Sequence, residues 1–174
     1  AFTTGLMQSL NYAELRGVAA HELSHIKHRD ILISTVAATV AGAISAIASM
    51  ALWFGVRDEN GQRNWVASLL IGIFAPMAAG IIQMAISRSR EYLADKGAAE
   101  ITGEPLALAA ALHKIEQIAS GVIMNTAEEH PATAQMMIIN PLSGDGKDKL
   151  FSTHPSTQNR IIALENIARE FKQL

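Results

Sequence analysis

Two long apolar segments dominate the pattern of hydrophobic and polar positions along the chain. Residues 31–56 are 26 consecutive positions without Asp, Glu, Lys, Arg or His, and residues 65–87 form a second such run. As helices rising about 1.5 Å per residue, the runs would be about 39 and 35 Å long, enough to cross a hydrocarbon core of about 30 Å. The polar connector contains the turn-forming pair Asn60-Gly61. The pattern predicts a membrane-spanning helical hairpin, with a buried helix pair in a soluble bundle as the alternative.

The segments outside the hairpin are predicted to be mainly helical. Helices are predicted at Ala13–Asp30, Pro105–Ser120 and Thr157–Leu174, and in Pro105–Ser120 the apolar residues recur with helical spacing. Residues 130–156 contain three prolines and a Ser-Gly-Asp-Gly sequence, so we expect a loop there, with a candidate strand at residues 136–139. The fold class expected from the whole pattern is mainly α.

Basic residues near the ends of the apolar runs predict the orientation of the hairpin. Six lysines and arginines lie at the outer ends and two lie in the connector: Arg16, Lys27, Arg29, Arg88, Arg90 and Lys96 against Arg57 and Arg63. Segments rich in Lys and Arg tend to stay on the cytoplasmic side of a membrane. We therefore expect the segments that flank the hairpin to face the cytoplasm.

The composition limits the chemistry that the chain can perform. Its 14 Lys and Arg against 16 Asp and Glu give a formal net charge of -2, so it lacks the overall basic field that binds nucleic acid. The sequence has no cysteine, which excludes disulfides, thiolate metal sites and cysteine nucleophiles. A metal site would have to be built from His, Asp or Glu.

The sequence His21-Glu22-Leu23-Ser24-His25 carries the strongest chemical signal, an H-E-x-x-H motif on a predicted helix. Four residues advance a helix by about 400°, so the two imidazoles point the same way and can bind one ion. Glu22 lies one position further round the helix, where it can take a proton from water as a general base. The alternative is a pair of ordinary surface histidines.

A hydrolytic zinc centre also needs a third protein ligand and an open fourth position. The extended metzincin pattern requires Gly at position 28 and His at position 31, whereas this chain has His28 and Ile31. We interpret His28 and Asp30 as a solvated or interfacial cluster at the base of the first span. The third ligand must then come from another part of the chain.

Glu91 is the best candidate for the third ligand, because it follows the second apolar run as closely as the H-E-x-x-H motif precedes the first. Two antiparallel spans of similar length would bring Glu91 opposite His25. Asp95 lies one helical turn beyond Glu91, where it can accept a hydrogen bond from the outer nitrogen of a ligand imidazole. In the alternative interpretation, Glu91 and Asp95 pair with Arg88 and Arg90 on a solvated helix face.

These features resemble the HtpX-type membrane metalloproteases, which are relatives of the CAAX prenyl proteases in the gluzincin group of zinc peptidases. The resemblance covers almost the whole chain. It rests on four motifs in order: Thr4-Gly5-Leu6, His21-Glu22-x-x-His25, Ser87-Arg88 with Glu91-x-x-x-Asp95, and Asn140-Pro141 followed by Phe151-Ser152-Thr153-His154-Pro155 with Arg160.

The resemblance implies a zincin-like, mainly α fold with the hydrophobic hairpin inserted between the H-E-x-x-H helix and the third-ligand helix. Residues 1–30 would hold the active-site helix and, at residues 1–7, the end of a truncated strand along the substrate cleft. That strand would be a small β contribution near the N-terminus. Residues 31–87 would form the hairpin, and residues 88–174 the rest of the protease domain. The family typically has two further membrane spans upstream, which we expect this chain to lack.

The resemblance also implies roles for individual residues. One Zn²⁺ per chain would be held by His21, His25 and Glu91, with Glu22 as the general base. His154 or Arg160 would donate a hydrogen bond to the oxyanion of the tetrahedral intermediate. Judged from the sequence alone, His130 before Pro131 is as good a candidate as His154; the resemblance selects His154 because Arg160 follows six positions later.

The function implied by the resemblance is that of a zinc-dependent endopeptidase. It would be a multi-pass protein of the cytoplasmic membrane and would cleave damaged or misassembled membrane proteins at the cytoplasmic face. Its partners would be a protein or peptide substrate and the lipid bilayer. The first alternative is a prenyl-protein endopeptidase of the CAAX type. The second is a non-catalytic membrane scaffold with a structural metal, in which a protein ligand would fill the fourth position.

Overall fold

The computed structural model describes residues 2–57, 59–121 and 155–173, and this part of the chain is mainly helical, as predicted. Its elements in chain order are α1 (Thr4–Ser9), α2 (Tyr12–Lys27), α3 (Asp30–Phe54), β1 (Val56–Arg57), β2 (Arg63–Asn64), α4 (Trp65–Thr102), α5 (Pro105–Gly121) and α6 (Thr157–Gln173). They form two compact units. One unit comprises Ala1–Asp30 and Arg88–Leu174, and the other comprises Ile31–Ser87.

The unit Ile31–Ser87 contains the two apolar runs and the turn between them. At the turn, the two-residue strands β1 and β2 pair in antiparallel fashion, with Val56 opposite Asn64. The backbone amide of Val56 donates to the Ser68 hydroxyl at 2.7 Å, and Gly61 takes a φ of 74° that favours glycine. Helix α4 continues through Pro76. The sequence therefore predicted both the two helices and the turn that joins them.

Helices α3 and α4 are both long and apolar enough to cross a membrane. Each contains an 18-residue window of mean hydropathy 2.1, and only 6% of each window is buried. A core helix of a soluble protein of this hydropathy would be mostly buried, because apolar area exposed to water costs free energy. The exposure of these side chains favours membrane spans over a buried helix pair.

The unit that contains the H-E-x-x-H motif is built on α2, α5 and α6. Its core is apolar and consists of Leu10, Val18, Ala20, Ala98, Leu108, Ala109, Ala111, Leu112 and Leu164. Gly17 lets α2 approach α5 closely, since a Cβ at this position would lie 3.2 Å from the backbone of Leu108. These contacts hold α2, and with it the two histidines, against the rest of the unit.

A capping box fixes the start of α2. The Asn11 side chain accepts from the Glu14 amide at 2.9 Å, and the Glu14 carboxylate accepts from the Asn11 amide at 2.8 Å. Glu14 also pairs with Lys114 of α5, with an Nζ–Oε1 distance of 2.7 Å. The beginning of α2 is thereby joined to α5.

Two expectations about local structure were wrong, and one region cannot be compared. Residues 4–7 belong to α1 and do not form a strand, because the Thr3 side chain caps the helix by accepting from the Leu6 amide at 3.2 Å. Helix α2 ends at Lys27 and does not continue to Asp30. Residues 130–154 of the predicted loop, including His130 and the candidate strand at residues 136–139, lie outside the described residues.

Candidate metal centre

His21 and His25 lie one turn apart on α2, and their rings converge. Their Nε2 atoms are 3.0 Å apart, and their ring centroids are 4.6 Å apart with the planes nearly perpendicular. The His21 side chain is 1% exposed, whereas that of His25 is 24% exposed. One imidazole is therefore buried in the unit and the other reaches its surface.

Glu91 of α4 brings its carboxylate to the same point. Its Oε2 lies 3.7 Å from Nε2 of His21, and its Oε1 lies 3.7 Å from Nε2 of His25. Zinc–ligand bonds of about 2.0–2.2 Å in a tetrahedral arrangement place two donors about 3.3–3.6 Å apart. The three donor separations, 3.0, 3.7 and 3.7 Å, lie close to this range, and the side chains form a group that could hold a metal.

The outer nitrogen of each imidazole is bound to a carboxylate. Nδ1 of His21 lies 2.9 Å from Oδ1 of Asp95, and Nδ1 of His25 lies 2.6 Å from Oδ2 of Asp30. A carboxylate accepts a hydrogen bond, so each neutral ring carries its proton on Nδ1 and a lone pair on Nε2. Two lone pairs then face each other at 3.0 Å. Such a contact is repulsive unless a proton or a metal ion lies between the two nitrogens, and with Glu91 as a third donor the set suits a metal ion.

Arg160 of α6 anchors two of the acidic groups. Its Nε and Nη2 donate to the two oxygens of Asp95 at 2.8 and 2.7 Å, and its Nη1 lies 3.1 Å from Oε2 of Glu91. Burial alone would raise the pKa of Asp95, but the charge and hydrogen bonds of Arg160, together with the bond from His21, hold that pKa below its usual value. Asp95 is therefore a carboxylate at neutral pH and can keep the His21 proton on Nδ1.

The setting of Arg160 differs from that expected of a substrate-facing group. The residue is 2% exposed, and its guanidinium is bound to Asp95 and Glu91. Burial alone would lower the pKa of Arg160, but Asp95 and Glu91 raise it above the ordinary value. These contacts favour a role in holding the ligand side chains, and the oxyanion role of Arg160 stays a prediction. His154, the other oxyanion candidate, lies outside the described residues.

Asp30 was predicted to belong, with His28, to a solvated or interfacial cluster; it is 7% exposed, so the solvated alternative is wrong for Asp30. The cause is a sharp turn: Arg29 takes a left-handed conformation with a φ of 55°, which ends α2 and directs Asp30 back to His25. Left-handed backbone is rare for residues other than glycine. Asp30 also forms an ion pair with Arg90 of α4. The sequence analysis missed this residue because it extended the helix through the turn.

The alternative interpretation, in which Glu91 and Asp95 lie on a solvated helix face, was wrong. They are 8% and 1% exposed, respectively. Gly97 explains how α4 comes so close to α2, since a Cβ at this position would collide with the hydroxyl of Ser24. The close approach of the two helices brings the acidic side chains to the histidines.

Glu22, the predicted general base, directly follows His21 on α2. Its side chain is exposed, whereas that of His21 is buried.

The charges around the histidines consist of three carboxylates, on Asp30, Glu91 and Asp95, and two guanidinium groups, on Arg90 and Arg160. With neutral imidazoles, the cluster carries one net negative charge. This charge favours binding of a divalent cation.

The comparisons with known proteins agree with this geometry. Residues 1–168 match peptidase family M48. Two proteins called "Protease HtpX homolog", from Burkholderia mallei (strain SAVP1) and Burkholderia pseudomallei (strain K96243), are each 60% identical to this chain over 170 residues. The matched region covers 97% of this chain and 60% of each relative, so the chain spans about 60% of the length of these curated relatives. No solved structure matches the chain.

Proposed function

The chain belongs to peptidase family M48, a family of metallopeptidases, and we propose that it is a zinc-dependent endopeptidase whose metal is held by His21, His25 and Glu91. Membership confirms the resemblance to HtpX-type proteases that the sequence motifs indicated. The observation that carries the proposal is the convergence of two Nε2 lone pairs and one carboxylate, with both Nδ1 atoms bound to acidic groups.

A bound zinc ion would supply Lewis acidity, which would lower the pKa of water so that hydroxide is available as a nucleophile at neutral pH, and would polarise the scissile carbonyl. Glu22 takes the proton from the attacking water and returns it to the leaving amine. Its exposed position, one residue from His21, leaves it accessible to both water and substrate. Asp95 keeps the His21 proton on Nδ1, and Arg160 holds Asp95 and Glu91 in place. Of the two candidate donors to the oxyanion, His154 and Arg160, we favour His154, because the buried guanidinium of Arg160 is bound to Asp95 and Glu91.

The proposed substrates are proteins or peptides, in the first place damaged or misassembled membrane proteins. The relatives are named as proteases, and the two exposed apolar helices fit a protein that lies in the membrane with its substrates. The distribution of basic residues favours an active site at the cytoplasmic face of the cytoplasmic membrane. Alkaline extraction of membranes tests this location: two integral spans keep the protein in the pellet, and release into the supernatant contradicts them.

The activity itself is tested with purified protein and an unfolded membrane protein as substrate. We expect cleavage that stops when zinc is removed by a chelator and resumes when zinc is added. Glu22→Gln should keep its zinc and lose hydrolysis, because the general base is removed while the metal ligands remain. Glu100→Gln, an exposed acidic position on α4, is the control and should cleave like the unaltered protein.

Two outcomes of this assay would favour the alternatives. Cleavage of a prenylated C-terminal peptide in preference to the unfolded membrane protein would indicate a prenyl-protein endopeptidase. Tight zinc binding without any hydrolysis would indicate a scaffold with a structural metal. Undiminished cleavage by Glu22→Gln would refute the assigned base.

A further inference from the structure

We propose that Asp30 and Arg90 form a positioning pair that fixes the His25 imidazole as a metal ligand. The inference deepens the proposed function and rests on it, since it concerns how the site holds its metal. Neither residue belongs to the H-E-x-x-H motif or to the ligand set, and both would act through His25.

The contact between Asp30 and His25 is short and largely shielded from water. Oδ2 of Asp30 lies 2.6 Å from Nδ1 of His25, at the short end for a hydrogen bond from a nitrogen donor to a carboxylate. Asp30 is 7% exposed, and its other oxygen, Oδ1, forms the ion pair with Arg90. One carboxylate oxygen therefore accepts from the imidazole of His25, and the other pairs with the guanidinium of Arg90.

Arg90 in turn is tied to the end of the histidine helix. Its Nη2 donates to the backbone carbonyl of His28, the residue that caps α2, at 3.3 Å. Arg90 directly precedes Glu91 on α4, so the pair also links the helix of the third ligand to the turn that carries Asp30. The orientation of His25 is thereby coupled to the position of Glu91.

The same order of groups occurs on the other histidine. Nδ1 of His21 is bound to Asp95, which pairs with Arg160. In the same way, Nδ1 of His25 is bound to Asp30, which pairs with Arg90. An outer carboxylate of this kind fixes the tautomer and raises the basicity of a metal-ligating histidine. The structure thus provides each imidazole with its own carboxylate and guanidinium, from different parts of the chain.

His25 needs this support more than His21 does. Its side chain is 24% exposed, against 1% for His21. Without Asp30, water could bond to Nδ1 of His25 in either tautomer. The tautomer with its proton on Nε2 cannot bind a metal through that nitrogen. The expected consequence of losing Asp30 is weaker metal binding in a protein that is still folded.

The competing explanation is that the Asp30–Arg90 ion pair only joins α3 to α4 and does nothing to the metal. A charge exchange separates the two explanations. In the double variant Asp30→Arg with Arg90→Asp, the ion pair can form again, but an arginine at position 30 cannot accept a hydrogen bond from His25.

The test is the zinc Kd of the purified protein, measured by competition with a chromophoric chelator, together with the Tm of the metal-free protein. His25 and Arg90 both donate to the Asp30 carboxylate, and the side-chain amide in Asp30→Asn has only one oxygen that can accept. We therefore expect zinc binding by this variant to be about 10- to 100-fold weaker. The double variant should recover the Tm lost in Asp30→Arg alone but keep the weakened zinc binding. Glu104→Gln, which removes an exposed carboxylate paired with Arg16, is the control and should leave the zinc Kd unchanged.

Two results would overturn the inference: zinc binding by Asp30→Asn that equals that of the unaltered protein, or full recovery of zinc affinity in the double variant. Either result, obtained while the unaltered protein binds zinc tightly and cleaves substrate, removes only the positioning role. Failure of the unaltered protein to bind zinc would instead contradict the proposed function.

Discussion

The Nε2 atoms of His21 and His25 lie 3.0 Å apart, while the Nδ1 atom of each ring is bound to a buried carboxylate. This relationship determines what the site can do. Because the outer hydrogen bonds place the protons on Nδ1, the inner nitrogens present lone pairs to a common point, to which Glu91 adds a carboxylate. Such a point attracts a cation and repels other acceptors.

Replacement of Glu91 by Ala should lower the zinc content of the purified protein well below one ion per chain, because only two protein ligands remain. Metal analysis of the protein after gel filtration measures this directly. Glu100→Ala, at an exposed position of the same helix, should retain full zinc content. Equal zinc content in the two variants would show that Glu91 is not a ligand.

Replacement of Arg160 by Met should destabilise the metal-free protein by about 3–5 kcal/mol, because the buried carboxylates of Asp95 and Glu91 lose the cation that compensates them. Denaturant unfolding measures the free energy of unfolding. The loss of stability should be smaller in the zinc-bound protein, because the zinc ion also compensates the negative charge of the carboxylates.

Arg16→Met is the matched control for this prediction. Its partner Glu104 is 52% exposed, so the loss of this surface ion pair should cost at most about 1 kcal/mol. Equal losses in Arg160→Met and Arg16→Met would contradict the role given to the buried guanidinium.

Acid should remove the stabilisation that Glu14 provides. Burial alone would raise the pKa of Glu14, but the hydrogen bond and charge of Lys114 and the Asn11 amide bring it below its ordinary value. A carboxylate with a lowered pKa stabilises the fold above the unfolded-state pKa of about 4.3, and this contribution is lost as the pH falls through the lower, folded-state value.

The measurement is the free energy of unfolding of the unaltered protein and of Glu14→Gln between pH 7 and pH 3. The advantage of the unaltered protein should be largest near neutral pH and should shrink below about pH 4.3. An advantage that is the same at pH 7 and pH 3 would contradict a contribution from the ionised carboxylate.

Replacement of Gly97 by Ala should weaken zinc binding and lower the Tm. The added Cβ would collide with the hydroxyl of Ser24 on α2, and the helix that carries Glu91 would have to move away from the histidines. Gly80→Ala is the control on the same helix, since a Cβ there meets nothing within 4 Å. If both variants bind zinc equally well, the close approach at Gly97 is not needed for the site.

Much of the site could be predicted from the sequence because its ligands follow simple spacings. The four-residue repeat placed His21 and His25 on one face, and the positions of the two apolar runs indicated Glu91. The burial of Asp95 beside Arg160 depends on α6, which is 65 positions away in the chain, so spacing alone could not show it.

The features that the sequence analysis missed depend on backbone conformations without a periodic signal. Asp30 reaches His25 only because Arg29 adopts a left-handed conformation, and residues 27–30 contain no Gly or Pro that would mark the end of the helix. The N-terminal helix α1 was likewise not expected, since its short sequence is stabilised by a single cap at Thr3. In both places local hydrogen bonding determines the structure.

The most direct test of the account is the position of the metal in crystals of the zinc-loaded protein, located by anomalous scattering at the zinc absorption edge. We expect one peak per chain at about 2.0–2.2 Å from Nε2 of His21, Nε2 of His25 and a carboxylate oxygen of Glu91, with solvent as the fourth ligand. A peak at other residues, or a zinc ion bound to the histidines while the Glu91 carboxylate points away, would contradict it.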